Sequence, residues 1–259
     1  MGQGNLPLLI TMPKLIILGS AAAIPDPGHA NAQMLVMLRD TATLIDCGDG
    51  TYLRLLKAGI GVEQVSDLVL THFHPDHAGG LPAFLITLWL LKRREPLVIH
   101  GLEDTLVRAE GMLKLFQWEN WKDMYPVTFH HLPQEELTPV LASTEWKVIA
   151  SPVKHLIPTI GLRMEFADGG VAAYSSDTEP CAAVMRLANG ADLLVHETAG
   201  DARGHSSGVQ AADIARQAGA RSLVLIHYPV GRAAELLQEA RSDFAGTVLL
   251  AEDGAVFDL

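Results

Sequence analysis

The sequence predicts an α/β protein built as a four-layer sandwich, with two β-sheets face to face and helices outside. Three observations predict it. Hydrophobic residues make up 49 % of the 259 and charged residues 19 %, a balance that supplies a sizeable core and excludes wholesale disorder. The chain falls into two halves of similar texture, each opening with strands and later alternating strand and helix. No low-complexity linker divides them, and no charge run is longer than Lys92-Arg93-Arg94. The expected organisation is therefore a single domain over 14–259 behind an N-terminal extension at 1–13.

In the first half, Lys14–Leu18, Gln33–Arg39 and Ala42–Asp46 read as short apolar strands broken by Gly, Pro and Asp turns. Asp49–Ala58 reads as a helix closed by Gly59, and Asp67–Leu70 as a buried strand. Gly80–Leu91 is apolar nearly all round, the pattern of a helix between layers or at a subunit contact. A strand at Leu97–His100 and a helix at Glu103–Phe116 complete this half. Val127–Leu132, Glu145–Pro152, Gly161–Phe166 and Val171–Ser175 read as strands of the second sheet. A helix at Pro180–Leu187, a strand at Leu193–His196, a helix at Ser207–Gln217, a strand at Ser222–His227 and a helix at Arg232–Arg241 follow. Two strands near Thr247–Leu250 and Ala255–Phe257 end the chain.

Composition narrows the function. Nineteen Lys+Arg against 30 Asp+Glu leave a formal charge of −11, which argues against the clustered cations of a large non-specific nucleic-acid footprint. Cys47 and Cys181 are too few and too far apart for a disulfide scaffold and are expected as reduced thiols. The N-terminus lacks a basic region, and its apolar stretch is short and broken by proline, unlike an export signal. The longest apolar run, Pro82–Leu91, is far below the ~18 residues a membrane span needs. A soluble cytoplasmic protein is expected, with no membrane partner. The 11 histidines are more than metal-free housekeeping normally explains.

Their spacing carries the chemistry. Thr71-His72-Phe73-His74-Pro75-Asp76-His77 follows a buried strand and precedes a helix. In the turn leaving the strand, His72 and His74 can project from one side. Asp76 and His77, in the first helical turn, can face the same point from the other, with Gly79 and Gly80 allowing a tight turn behind them. Neutral imidazoles and carboxylates are the donors that borderline divalent ions such as Zn2+ prefer.

This His-x-His-x-Asp-His segment resembles the signature of the metallo-β-lactamase superfamily, which implies a four-layer αβ/βα sandwich of that type. The resemblance implies three further ligands: His155 after Ser151-Pro152-Val153-Lys154, Asp177 in Tyr174-Ser175-Ser176-Asp177-Thr178, and His227 after Ser222–Ile226. One ion would take His72, His74, His155 and a shared Asp177. The other would take Asp76, His77, His227 and the same Asp177. Two divalent ions are expected, with Zn2+ favoured and Mn2+ or Fe as alternatives.

The chain is similar in particular to the ribonuclease Z-like phosphodiesterases, over nearly its whole length from Lys14. Leu18-Gly19-Ser20, Leu44-Ile45-Asp46-Cys47-Gly48-Asp49-Gly50-Thr51, Gly80-Leu81-Pro82 and Gly161-Leu162-Arg163-Met164-Glu165 carry the likeness. His196-Glu197-Thr198-Ala199 and Gly204-His205-Ser206-Ser207 discriminate best. The resemblance implies a phosphodiesterase acting through a metal-bridging hydroxide. In it Glu197 orients His205 as general acid, and Asp76 orients the nucleophile or takes its proton. Ribonuclease Z proper inserts a long basic arm between the third histidine and the bridging Asp. Between His155 and Asp177 only two strands and a turn at Asp168-Gly169-Gly170 fit, so an armless enzyme is expected. Tyr228-Pro229-Val230-Gly231-Arg232 and Asn31-Ala32-Gln33 also depart from the branch. With the acidic charge, these departures favour a small anionic phosphodiester, such as a cyclic nucleotide or cyclic sugar phosphate, over tRNA or other RNA. A homodimer is expected, with the apolar face of Phe84–Leu91 suited to the contact.

Other residues keep plainer readings. His29 is equally a substrate contact or solvent-exposed, His100 a satisfied strand-end residue, and His130-His131 a strand pair with one member facing out. His196 supports Glu197, and Asp46 and Asp49 are explained by turn chemistry as well as by the site. Trp89, Trp118, Trp121 and Phe116 are core or interface aromatics. Arg163 and Arg232 are the cations most suited to an anionic substrate, with a surface ion pair as the even alternative. The competing activity is hydrolysis of a lactone, thioester or aryl sulfate ester on the same centre. Redox chemistry is disfavoured because His74 is retained where diiron members carry Glu, and a non-catalytic role because no ligand is missing.

Overall fold

The computed structural model describes residues 12–259, so most of the expected N-terminal extension lies outside the described residues. The chain runs through β1 (Lys14–Gly19), β2 (Gln33–Leu38), β3 (Thr41–Ile45), α1 (Thr51–Lys57), β4 (Val65–Val69), α2 (Pro75–Ala78) and α3 (Leu81–Leu90). It continues through β5 (Leu97–Leu102), α4 (Glu103–Leu115), β6 (Val127–Leu132), β7 (Thr138–Ala142), β8 (Trp146–Val153), β9 (Thr159–Phe166) and β10 (Val171–Tyr174). It ends with α5 (Ala182–Leu187), β11 (Leu193–Glu197), α6 (Gly208–Ala218), β12 (Ser222–Ile226), α7 (Ala233–Asp243), β13 (Thr247–Leu250) and β14 (Val256–Asp258).

Two seven-stranded sheets form, ordered β14-β1-β2-β3-β4-β5-β6 and β13-β12-β11-β10-β9-β8-β7. Period-two alternation explains how continuous apolar strands serve two cores at once. In β1, Leu15 and Ile17 face the second sheet, while Ile16 and Leu18 face the helices α1, α3 and α4. In β12, Val224 and Ile226 face the first sheet, and Leu223 and Leu225 pack with α5, α6 and α7. The three clusters are the interfaces of a four-layer sandwich.

Two strands differ from the expectation. β7 is absent from the sequence reading because Thr-Pro-Val-Leu-Ala is short and contains proline. It survives as an edge strand, where a missing ladder donor is tolerated. β14 leaves the second half and pairs antiparallel with β1, Lys14 opposite Asp258, so the chain's end closes the first sheet.

The site follows from strand direction. β3 and β4 are parallel, as are β10, β11 and β12, so their C-terminal ends gather on one side of each sheet. The turn from β8 into antiparallel β9 reaches the same rim, and Ile160 N–H donates to Thr71 O across the sheets at 3.1 Å. Ligands in open α/β sheets bind outside such carboxyl ends.

Candidate metal centre

The first half of the site is built around Asp46, buried at the end of β3 with φ 63°. Its carboxylate accepts the Thr71 amide at 2.8 Å and the Thr71 hydroxyl at 2.9 and 3.0 Å. His77 Nδ1 lies 2.8 Å from the same carboxylate, which turns Nε2 inward. The single hydroxyl proton of Thr71 goes to Asp46, so His72 Nδ1–H donates to Thr71 Oγ1 at 3.1 Å and its Nε2 also faces the site. Pro75 opens α2 at its first turn, where its fixed φ suits the helix, and Asp76 and His77 follow directly. Gly80 serves by close approach: a Cβ there would fall 1.8 Å from Gly48 O. Glycine is needed for backbone contact rather than for a left-handed turn.

The second half comes from four loops. His155 follows β8 and donates Nδ1–H to Gly204 O at 2.7 Å, leaving Nε2 as its lone-pair nitrogen. Asp177 follows β10, and His227 follows β12 with its amide bonded to Ser20 O at 2.8 Å. Glu197 ends β11, fully buried, and accepts the amides of Ala199 at 2.7 Å, Ser206 at 2.8 Å and Thr178 at 3.3 Å. Those bonds hold the loop that carries His205.

All the sequence-derived site residues meet at this rim. His72, His74, His155 and Asp177 offer donor atoms within 4.8 Å of one another, and so do Asp76, His77 and His227. His74 Nδ1 lies 3.1 Å from His72 Nε2 and 3.2 Å from His155 Nε2. One proton cannot fully satisfy three converging ring nitrogens. Asp177 bridges the groups, with Oδ2 at 3.8 Å from both His72 and His155, and Oδ1 at 3.6 Å from His77 and 3.5 Å from His227. His77 Nε2, His227 Nδ1 and Asp177 Oδ1 are buried without a hydrogen-bond partner. Buried polar atoms are rarely left so, and inward-facing imidazoles around a carboxylate fit divalent cations.

The electrostatics agree with this donor set. Burial, reinforced by His77, holds the His72 imidazole well below its ordinary range, and burial lowers His74 and His155 as well. Burial thus disfavours the protonated form of these rings, the form that has no lone pair to donate. Burial opposes ionisation of Asp177, but His227, His77 and His72 together outweigh it and hold that carboxyl well below the usual range. His74, Asp76, His155 and His205 are the partly exposed members; the His155 side chain is itself buried, so the site opens on the side of the other three.

His205 stands where two readings meet. Its Nδ1 is 3.4 Å from Glu197 Oε1 and 4.0 Å from Asp177 Oδ2, and it joins a third donor group with Asp177 and His227. The Glu197 carboxylate raises the His205 pKa against the effect of burial.

Residues outside the centre take structural partners. Arg163 bonds Glu165 at 2.6 Å and the carbonyls of Leu187 and Asn189, and Arg232 pairs with Glu235 at 2.9 Å, so the ion-pair alternative holds for both. His100 is held by Asp67 at 2.7 Å, and His29 sits between Asp26 and Glu252. His130 and His131 point to opposite sides of β6, as the alternation expects, His130 towards His100 and His131 towards Glu103, but both are exposed because β6 is an edge strand. His196 is fully buried with Nδ1 at 2.7 Å from Glu197 O, and burial pushes its pKa down to about 4. Trp89 and Trp121 stack within the helical layer, and both cysteines are free.

A family model described as Anti-Pycsar protein Apyc1 matches residues 13–248. The chain belongs to that family. It is also 34 % identical to a ribonuclease Z of Mycobacterium sp. (strain KMS), over 93 % of this chain and 94 % of that one. The metallo-β-lactamase fold protein YhfI from Bacillus subtilis superposes with a TM-score of 0.80 at 22 % identity, covering 95 % of this chain and 99 % of its own. The short form of human tRNase Z superposes with a TM-score of 0.78 at 24 % identity, covering 94 % and 98 %. The fold is the metallo-β-lactamase sandwich.

Sequence reasoning gave Thr71, Gly204 and Glu179 no role of their own, because each acts through a contact with a distant segment: Thr71 with Asp46, Gly204 with His155 and Glu179 with Gly204. Asp46 carried a signal, a strand-end Asp before Cys47-Gly48, but its bond to His77 is visible only in three dimensions. Asp46→Asn is expected to weaken Zn2+ binding by roughly 10–100-fold, the usual cost of losing a ligand's supporting partner. Competition against a chromophoric chelator measures it, and unchanged affinity would reduce Asp46 to a turn residue.

Proposed function

We propose that this chain is a metal-dependent phosphodiesterase holding two divalent ions, the first by His72, His74, His155 and Asp177, the second by Asp76, His77, His227 and the shared Asp177. The observation that carries this reading is the pair of donor groups meeting at Asp177 beside His205 and Glu197, in a relative of ribonuclease Z. Imidazole and carboxylate donors favour Zn2+, with Mn2+ or Fe as alternatives. When bound, such ions lower the pKa of a coordinated water and neutralise charge developing on the phosphate oxygens. Within the protein, Asp76 lies at the open side and orients the attacking group or takes its proton. His205, whose pKa the neighbouring Glu197 carboxylate raises, gives a proton to the departing alkoxide.

The substrate we propose is small. Between His155 and Asp177 the chain builds only β9, a turn and β10, which leaves no basic arm, and the formal charge is −11. A cyclic nucleotide or similar compact diester suits an armless, acidic chain better than tRNA, although the ribonuclease Z relatives keep RNA as a second candidate. Hydrolysis of a lactone, thioester or sulfate ester is not favoured, since the curated relatives are ribonucleases. The test is one Zn2+-loaded panel of bis-nitrophenyl phosphate, cyclic nucleotides, precursor tRNA, an aryl sulfate, a lactone and a glutathione thioester. No phosphodiester turnover above a chelated control would overturn the reading.

The proposal includes a cytoplasmic homodimer. The free cysteines support the compartment, and among the described residues no helix is long and apolar enough to cross a membrane. Of the face Phe84–Leu91 expected to make the contact, Phe84, Leu85 and Leu88 are buried in the chain's own core. Leu90 and Leu91, exposed at the end of α3, are therefore what supports the dimer. Light scattering should return twice the chain mass, and a monomeric value would end that part.

A further inference from the structure

Glu179, two residues beyond Asp177, ties together three segments of the site that the sequence keeps far apart. Its amide donates to Lys154 O at 2.8 Å, which docks the Asp177 loop on the strand end preceding His155. Lys154 N–H donates back to Thr178 Oγ1 at 3.1 Å, so the two segments form an antiparallel bridge. The Glu179 side chain then reaches across: Oε1 accepts the Gly204 amide at 3.0 Å, while Oε2 pairs with Lys154 Nζ. Gly204 is the residue whose carbonyl accepts His155 Nδ1–H at 2.7 Å. It is held at φ +86°, and a Cβ on it would come within 3.0 Å of the His155 ring and 2.9 Å of Leu156. The Gly204 peptide is thus gripped on both sides, its N–H by Glu179 and its neighbouring carbonyl by His155.

We propose that Glu179 is a positioning residue: by fixing Gly204 it holds the acceptor that sets the His155 tautomer and ring direction. The loop's own ties, Gly200 N–H to Ser206 O at 3.0 Å and Gln210 Nε2–H to Asp201 Oδ1 at 3.2 Å, do not engage the Gly204 peptide. His205 N–H bonds Ala202 O at 3.0 Å, so the loop is a tight local turn whose placement needs an external anchor. Glu197 anchors its far side through Ser206, and Glu179 anchors its near side through Gly204. The same contact places the segment carrying His205, so one carboxylate aligns both a ligand histidine and the proton donor.

This inference rests on the metal-site reading above, and its test separates the two. Zn2+ affinity is measured without substrate, by competition with a chromophoric chelator, for the wild-type chain and for Glu179→Ala, Glu179→Gln and Lys154→Met. Glu179→Ala should bind Zn2+ about 10–100-fold more weakly, as loss of a ligand's orienting partner does. Glu179→Gln keeps an acceptor oxygen for the Gly204 amide and should recover most of that loss. Lys154→Met removes only a largely exposed ion pair and should stay within about threefold of wild type. Turnover of the best panel substrate should fall in kcat rather than rise in KM for Glu179→Ala, with Glu179→Gln again the rescue. Unchanged Zn2+ affinity in Glu179→Ala, or an equal loss in Glu179→Gln, would overturn the inference while leaving the centre intact. A wild-type chain that binds no Zn2+ would overturn both. Should Glu179→Ala fail to fold, the contrast between Glu179→Gln and Lys154→Met still decides: a loss in Lys154→Met larger than in Glu179→Gln would assign the effect to the ion pair.

Discussion

Asp177→Ala is expected to abolish turnover and to empty both halves of the centre at once. The two oxygens of Asp177 reach both donor groups, lying 3.5–3.8 Å from nitrogens of His72, His155, His77 and His227. Without Asp177 the cavity would hold converging imidazoles with Asp76 as the remaining ligand carboxylate, and that carboxylate serves the second group alone. The loss of activity should exceed the ~10–100-fold typical of an outer partner, and elemental analysis should show the metal content falling with it. Retention of two ions per chain in Asp177→Ala would overturn the shared-ligand assignment. Asp177→Asn is the sharper variant, since it keeps the shape and removes the charge.

His205→Ala should behave differently, lowering kcat by ~10²–10⁴-fold, the range for a lost general acid, while leaving metal content unchanged. Its position argues for that separation: His205 lies on the open side, with Nδ1 nearer to Glu197 than to Asp177. The pH profile provides the second readout. A general acid works only when protonated, and the Glu197 carboxylate raises the His205 pKa, which extends the active form to higher pH. Glu197→Gln removes that charge, so the alkaline limb of kcat should move to lower pH. A limb that stays in place, or metal loss in His205→Ala by elemental analysis, would make His205 a ligand instead, consistent with its membership of the third donor group.

The centre also shows what sequence patterning conveys and what it omits. His72, His74, Asp76 and His77 are legible because a strand end and a helix start have fixed geometry over a few residues, so spacing translates directly into convergence. The sandwich was legible because strands buried on both faces read as continuous apolar runs. β7 and β14 were not legible in their pairing, because short edge strands gain their partners from the sheet rather than from their own composition. His130 and His131 alternate as expected yet are both exposed, because an edge strand leaves room on both sides.

The sequence by itself determined the chemistry available to this protein: a cluster of histidines and carboxylates at a strand end, a two-sheet scaffold, and an interval between His155 and Asp177 too short for an RNA-gripping arm. Those are properties of residue type and local spacing, which the chain carries before it folds. Only the tertiary structure decided which nitrogen of each ring faces inward and what holds it there. His72 is set by Thr71, His77 by Asp46 and His155 by Gly204, the last anchored in turn by Glu179. A ring's tautomer follows from the partner of its other nitrogen. For His77 and His155 that partner lies tens of residues away, brought close by the strand ends that gather at one rim.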